Sequence, residues 1–173
     1  QALDRDPRYL PAHLGLAVLY RSRQTQEEFA KAEEQLRKAR AADPENRRVL
    51  RLLADTLIDL GRPKDAAVAF QALVDLDPGD LDVQNRLGLL LLEVGDARSA
   101  CDSFRRARDG HPGHDGVTFN LCLALAALDT AAEAQDALAI LKRLLEKLPA
   151  DDPITGEAVR LRDAILRREA GRK

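Results

Sequence analysis

The stretch from Leu81 to His114, LDVQNRLGLLLLEVGDARSACDSFRRARDGHPGH, is thirty-four residues long and forms one unit of a repeating pattern. Prolines mark the pattern, because Pro112, Pro78 and Pro44 are each thirty-four residues apart. Between the prolines, small and apolar residues recur at the same offsets, which predicts a stack of similar units. The shared positions are Leu87, Gly88, Leu91, Ala100, Phe104 and Ala107 in this unit, and Leu53, Ala54, Leu57, Ala66, Phe70 and Leu73 one unit earlier.

This spacing resembles the tetratricopeptide repeat, whose signature is Trp-x2-Leu-Gly-x2-Tyr, then Ala-x3-Phe, then proline. Leu87 and Gly88 match the Leu-Gly pair, and Ala100 and Phe104 match Ala-x3-Phe. The resemblance implies an all-α fold, namely a right-handed superhelix of antiparallel helix pairs (an α-solenoid) with a C-terminal capping helix. It also implies a protein–protein interaction function, since the concave groove is the usual binding surface in this family.

The repeat divides the chain into six segments. Residues 1–7 are interpreted as the end of a preceding repeat helix, which suggests an excised fragment of a longer array. Four repeats are predicted at 8–46, 47–80, 81–114 and 115–150. Residues 151–173 are predicted to contain the capping helix, with an apolar stripe made of Ala158, Leu161, Ile165 and Leu166.

The first and fourth repeats contain three extra residues, because their terminal prolines lie thirty-seven residues after the preceding ones. Thr25 with Glu28, and Thr130 with Glu133, are capping-box patterns at these insertions. We therefore expect the second helix of each of these repeats to begin about one turn early.

The second and third repeats have glycine in their internal turns. Gly61 precedes Pro63, and glycine suits the left-handed end of a helix while proline suits the first turn of the next. Gly95 precedes Asp96, whose carboxylate is expected to cap the amides that follow.

The composition argues against several classes of protein. Hydrophobic residues make up 45% of the chain but aromatic residues only 3%, which favours a helical core of Leu, Ala and Val. The 27 Lys and Arg nearly balance the 29 Asp and Glu, so no nucleic-acid partner is expected. The apolar runs at 87–92 and 121–128 fall short of the roughly 18 residues that a membrane span needs, so no membrane insertion is expected. The absence of Met beside abundant Ala and Arg suggests a bacterial source, with cytoplasm and periplasm both open.

The period of the helix predicts which residues face the concave groove. The second repeat contributes charged side chains, and the third and fourth repeats contribute an apolar patch. We expect a peptide or helix of a partner to bind there, with polar side chains binding its polar groups. In the alternative, the C-terminal helix or another molecule covers the patch. The predicted groove residues are Arg48, Arg51, Asp55, Asn85, Leu89, Leu92, Phe119 and Leu123.

No catalytic residue, cofactor or metal is predicted. His111 and His114 stand near acidic residues, as zinc ligands can, but the equivalent turn at 77–80 has no histidine and acts as a connector. Cys101 and Cys122 are expected in the core. The two-lysine clamp with which some tetratricopeptide domains bind the carboxylate end of chaperones is not matched by the groove positions.

The sequence thus predicts a non-enzymatic interaction module that binds a peptide or helix of a partner in its concave groove, as a scaffold or assembly factor. Two alternatives stay open at this point. The chain could be a self-associating structural element that forms homo-oligomers, or the regulatory region of a larger enzyme.

Overall fold

The computed structural model describes residues 9–172, and within that range the chain folds into nine helices with no strand. The prediction of an all-α fold is confirmed, whereas the interpretation of residues 1–7 lies outside the described range. No helix in the described range is long and apolar enough to cross a membrane. The helices are α1 (Leu10–Arg21), α2 (Gln26–Ala42), α3 (Arg47–Asp59), α4 (Pro63–Leu76), α5 (Leu81–Glu93), α6 (Ala97–Gly110), α7 (Asp115–Ala127), α8 (Ala131–Lys147) and α9 (Pro153–Ala170).

The N-termini of the two longer second helices, α2 and α8, have the predicted threonine caps. Thr25 Oγ1 accepts a hydrogen bond from the Glu28 amide at 3.3 Å, and Thr130 Oγ1 accepts one from the Glu133 amide at 3.4 Å. Helices α2 and α8 contain 17 residues each, whereas α4 and α6 contain 14. The insertions therefore lengthen these two helices by about one turn, as predicted.

The four internal turns share one backbone feature, a residue with positive φ directly before the N-cap of the next helix. Gly61 (φ 69°) adopts the left-handed conformation that the sequence predicts, and Gly95 (φ 86°), in the predicted turn before Asp96, adopts it as well. In the two longer repeats the same place is taken by Gln24 (φ 53°) and Asp129 (φ 56°). These side chains carry a Cβ that disfavours the left-handed region, so both turns are strained.

The helices form two compact units, residues 1–78 and 79–173, called here the N-terminal and C-terminal units. In the N-terminal unit, α1 packs on α2, α2 on α3 and α3 on α4. In the C-terminal unit, α5 to α8 pack in the same sequential way, and α9 packs on both α7 and α8. The last helix therefore covers the final helix pair, as a capping helix does. The bounds given above for the individual repeats stay a prediction.

Small residues let the paired helices approach closely. Gly88 on α5 is buried, and the ring of Phe104 on α6 lies against it. Five alanines of the first three helix pairs are fully buried: Ala17, Ala32, Ala54, Ala66 and Ala100.

Only part of the apolar stripe predicted for α9 faces inward. Ala158 and Ile165 are buried, but Leu166 is 50% exposed, so its assignment to the stripe is wrong. Leu166 stands about 100° around the helix from Ile165, away from the side on which α9 packs against α7 and α8. The buried face of α9 is therefore narrow.

Candidate functional site

The groove residues predicted for the N-terminal unit lie on α3. Arg48 is exposed, and Arg51 and Asp55 are half-buried. Arg48 lines a cleft of about 390 Å³ together with Leu14 and Val18 of α1. Val18 is 45% exposed, so this cleft combines an open apolar wall with a guanidinium group.

Helix α1 is fixed to α3 by an arginine network that the sequence analysis missed. Arg21 donates from Nη1 to the Leu52 carbonyl at 3.0 Å and to Thr56 Oγ1 at 2.9 Å, and from Nη2 to Asp59 Oδ2 at 2.9 Å. The Arg21 and Asp59 side chains are only 23% and 34% exposed, so solvent screens this ion pair incompletely. The network holds the two helices that line the cleft in one register.

The groove residues predicted for the C-terminal unit lie on α5 and α7, which are in contact. Leu89 is 44% exposed, while Leu92 and Leu123 are partly buried and pack against the core of this unit. Asn120 Nδ2 donates to Asn85 Oδ1 at 3.1 Å and so links α7 to α5. Leu89 is thus the most exposed of these three leucines, and Asn85 of the amide pair lies one helical turn before it.

Phe119, which the sequence analysis places on the open groove, is instead a core residue. Its side chain is 7% exposed and belongs to the same cluster as Ala158 and Ile165 of α9. Because α9 packs on α7, the last helix helps to enclose this helix face. The helical period assigns a residue to a side of α7 but does not say how much of that side a later helix covers.

The last helix is fastened to the end of α7 by charged groups. Arg168 Nη1 donates to the Ala126 carbonyl at 2.8 Å and pairs with Asp129 Oδ1 at 2.8 Å. Arg172 Nη2 donates to both the carbonyl and the carboxylate of Asp129 at 2.6 Å. These charge-assisted bonds are shorter and stronger than neutral ones, so α9 is a fixed part of the C-terminal unit.

Two of the three histidines, His13 and His114, have structural roles. His114 Nδ1 accepts a hydrogen bond from the Val117 amide at 3.2 Å and caps α7. His13 is 3% exposed, and its Nδ1 lies 2.8 Å from Gln35 Oε1 of α2. Across residues 9–172, no group of three or more His, Cys, Asp or Glu residues is arranged to hold a metal ion.

Both cysteines are free and buried, as predicted. Burial raises the pKa of the Cys122 thiol to about 12 and also raises the pKa of Cys101. Since the thiolate is the nucleophile, neither side chain is suited to covalent catalysis at neutral pH.

The comparisons with known proteins agree with this architecture. Residues 21–80 match a tetratricopeptide repeat family model. MamA has a similar structure, with a TM-score of 0.69 and 20% identity over 93% of this chain and 88% of that chain. A Podosopora anserina putative kinesin light chain with nearly identical TPR-like repeats has a TM-score of 0.68 and 16% identity, covering 96% of this chain and 89% of that one.

YrrB, described as a TPR protein with an unusual peptide-binding site, has a TM-score of 0.70 and 25% identity over 87% of this chain and 74% of its own. No curated protein matches the chain in sequence. The helix pairs and their small-residue contacts define the class as a helical repeat. More narrowly, the fold is that of tetratricopeptide repeat proteins, and residues 21–80 also match the family model in sequence.

Proposed function

We propose that this protein is an interaction module that binds a segment of another protein on the α5–α7 surface of its C-terminal unit. The observation that carries the proposal is Leu89, which is 44% exposed beside the partly buried Leu92 and Leu123. An exposed leucine on α5, with partly buried leucines on α5 and α7, would give a docking point to the apolar face of a helix or an extended peptide. YrrB, which has the same fold, is described as having a peptide-binding site.

The polar neighbours of Leu89 would fix the orientation of the bound segment. Asn85 lies one helical turn before Leu89 and accepts the bond from Asn120. Each amide side chain has two N–H donors and an oxygen with two lone pairs, so this pair keeps hydrogen-bonding capacity for a peptide backbone. In the N-terminal unit, Arg48, Arg51 and Asp55 would contact charged groups of the partner.

The direct test is affinity capture from cells of the source organism, followed by mass spectrometry, with wild type and Leu89→Glu as baits. Leu166→Glu is the matched control, because it makes the same substitution at a leucine that is 50% exposed on α9. Circular dichroism checks that all three proteins are equally helical. We expect a partner that wild type and the control retain and that Leu89→Glu loses.

The reverse pattern, in which the control loses the partner and Leu89→Glu keeps it, would refute the assignment of the surface. Light scattering across a range of protein concentrations addresses self-association. A mass that rises with concentration in wild type but not in Leu89→Glu would identify a second copy of this chain as the occupant.

A further inference from the structure

Each unit has a cleft between its second helices, distinct from the surface that contains Leu89. In the N-terminal unit the cleft measures about 500 Å³ and lies between α2 and α4, with α3 as its floor. In the C-terminal unit two contiguous clefts of about 380 and 340 Å³ lie between α6 and α8, with α7 as the floor. Leu53, on the floor of the N-terminal cleft, lies two residues after Arg51 and two before Asp55. Two residues correspond to a rotation of about 200°, so Leu53 faces away from both of these predicted groove residues. The clefts are therefore on the other side of the first helices from the predicted groove.

The two units place the same basic side chains in their clefts. Arg37 and Arg40 line the N-terminal cleft, and sixty-eight residues later, two repeat lengths on, Arg105 and Arg108 line the C-terminal clefts. The floors also correspond, because each consists of two leucines that are at most 3% exposed. These leucines are Leu53 and Leu57 in one unit and Leu121 and Leu125 in the other.

The arginine pair is not a general feature of the second helices. In the repeat between the two pairs, the equivalent positions hold Gln71 and Val74, and Val74 is a core residue with 3% exposure. Packing of the repeat therefore does not require arginine at these positions. Arginine occupies both positions in the two repeats whose second helices line these clefts.

Charge in the C-terminal clefts is predominantly positive. Four basic side chains and two acidic ones line them. Lys147 Nζ pairs with Asp115 Oδ1 at 2.6 Å, which leaves three arginines and one aspartate. Arg105 and Arg108 are 46% and 32% exposed, and their ion pairs with neighbouring aspartates at 3.4 and 3.1 Å are of the weak surface type.

We propose that the α6–α8 clefts bind an acidic peptide segment that places an aliphatic side chain between two carboxylates. The guanidinium forks of Arg105 and Arg108 match carboxylate geometry, and the apolar floor receives the aliphatic group beside Ile140. No aromatic side chain lines these clefts in the described part of the chain, so they provide no surface on which nucleic-acid bases would stack. The geometry therefore favours a peptide over single-stranded RNA. The α2–α4 cleft, with Arg37 and Arg40, is a second site of the same kind.

The test is fluorescence polarisation with a labelled synthetic peptide that repeats Asp-Leu-Glu. Two comparison peptides replace leucine by serine, or both acids by lysine. The protein variants are Arg105→Glu with Arg108→Glu, and a neutral version with glutamine at both positions. The matched control is Arg98→Glu with Arg106→Glu, which changes two exposed arginines of the same helix that do not line the clefts. Circular dichroism confirms that each variant is folded.

We expect the cleft variants to raise the Kd of the Asp-Leu-Glu peptide about tenfold or more, and the control to change it by about twofold or less. Replacing leucine by serine should weaken binding, and the lysine peptide should not bind. Equal losses in the cleft and control variants would overturn the proposal, because binding would then follow overall charge. Tight, cleft-dependent binding of a labelled oligouridylate without binding of the peptide would also overturn it.

Discussion

Gly88→Ala is the substitution that most sharply tests the packing within a helix pair. An added Cβ would lie 2.6 Å from Cε1 of Phe104 and 2.8 Å from Cδ1 and Cζ of the same ring. Carbon atoms in ordinary contact are about 3.5–4.0 Å apart, so the ring would have to move by about 1 Å. Phe104 is 0% exposed, so the ring can move only against other core residues.

The magnitude follows from two opposing effects. Overpacking of a filled core costs about 1–3 kcal/mol. Alanine in a helix interior is favoured over glycine by about 1 kcal/mol. We therefore expect Gly88→Ala to lower the free energy of unfolding by up to about 2 kcal/mol.

Two other helical glycines are the controls. Nothing lies within 4 Å of a Cβ added at Gly15, and the nearest atom to one added at Gly156 is Arg160 Nη1 at 3.9 Å. Alanine at either site should be neutral or stabilising by up to about 1 kcal/mol. Urea denaturation followed by circular dichroism measures all three variants. The reasoning is refuted if Gly88→Ala is as stable as the two controls with an unchanged dependence on urea.

Three further predictions concern the turns, a helix cap and the thiols. Gln24→Gly should raise the free energy of unfolding by up to about 1 kcal/mol, because Gln24 adopts φ 53°; a loss of stability in urea melts would contradict this. Hydrogen bonds from the Ser99 hydroxyl and amide lower the pKa of Asp96 in the folded protein. The ionised carboxylate therefore contributes stability above the ordinary pKa of about 4, and this contribution is lost as the pH falls through the lower folded pKa. The stability difference between wild type and Asp96→Asn should therefore shrink on acidification, and urea melts at neutral and acidic pH that show a constant difference would refute it. Ellman's reagent should label Cys101 and Cys122 only when urea unfolds the protein, because both thiols are buried and have raised pKa values. Rapid labelling of the native protein would contradict this prediction.

Much of the fold could be predicted because the repeat places local signals at known offsets. Thr25 and Thr130 predict the longer second helices, and Gly61 and Gly95 predict the internal turns of the second and third repeats. The strained conformation at Gln24 was missed because glutamine carries no local turn signal. An alignment of the four internal turns on their N-cap residues would have placed Gln24 at the position that Gly61 and Gly95 occupy.

The candidate surfaces were harder to predict because they depend on contacts between distant helices. Phe119 fits the groove pattern, but α9 packs on α7 and the ring belongs to the core. The Arg21–Asp59 pair depends on the register of α1 against α3, which spacing alone does not give. The arginines of the clefts had a signal in the sequence, since Arg37 recurs as Arg105, but only the structure shows that both face a cleft.

The claim that the α5–α7 surface binds a partner is tested most directly by photocrosslinking. A benzophenone amino acid is placed at position 89 in one protein and at position 166 in another, since both leucines are exposed to a similar degree. Each protein is irradiated in cell extract, and the crosslinked products are identified by mass spectrometry. We expect a discrete protein adduct from position 89 that position 166 does not give. Adducts from position 166 alone, or the same set from both positions, would contradict it.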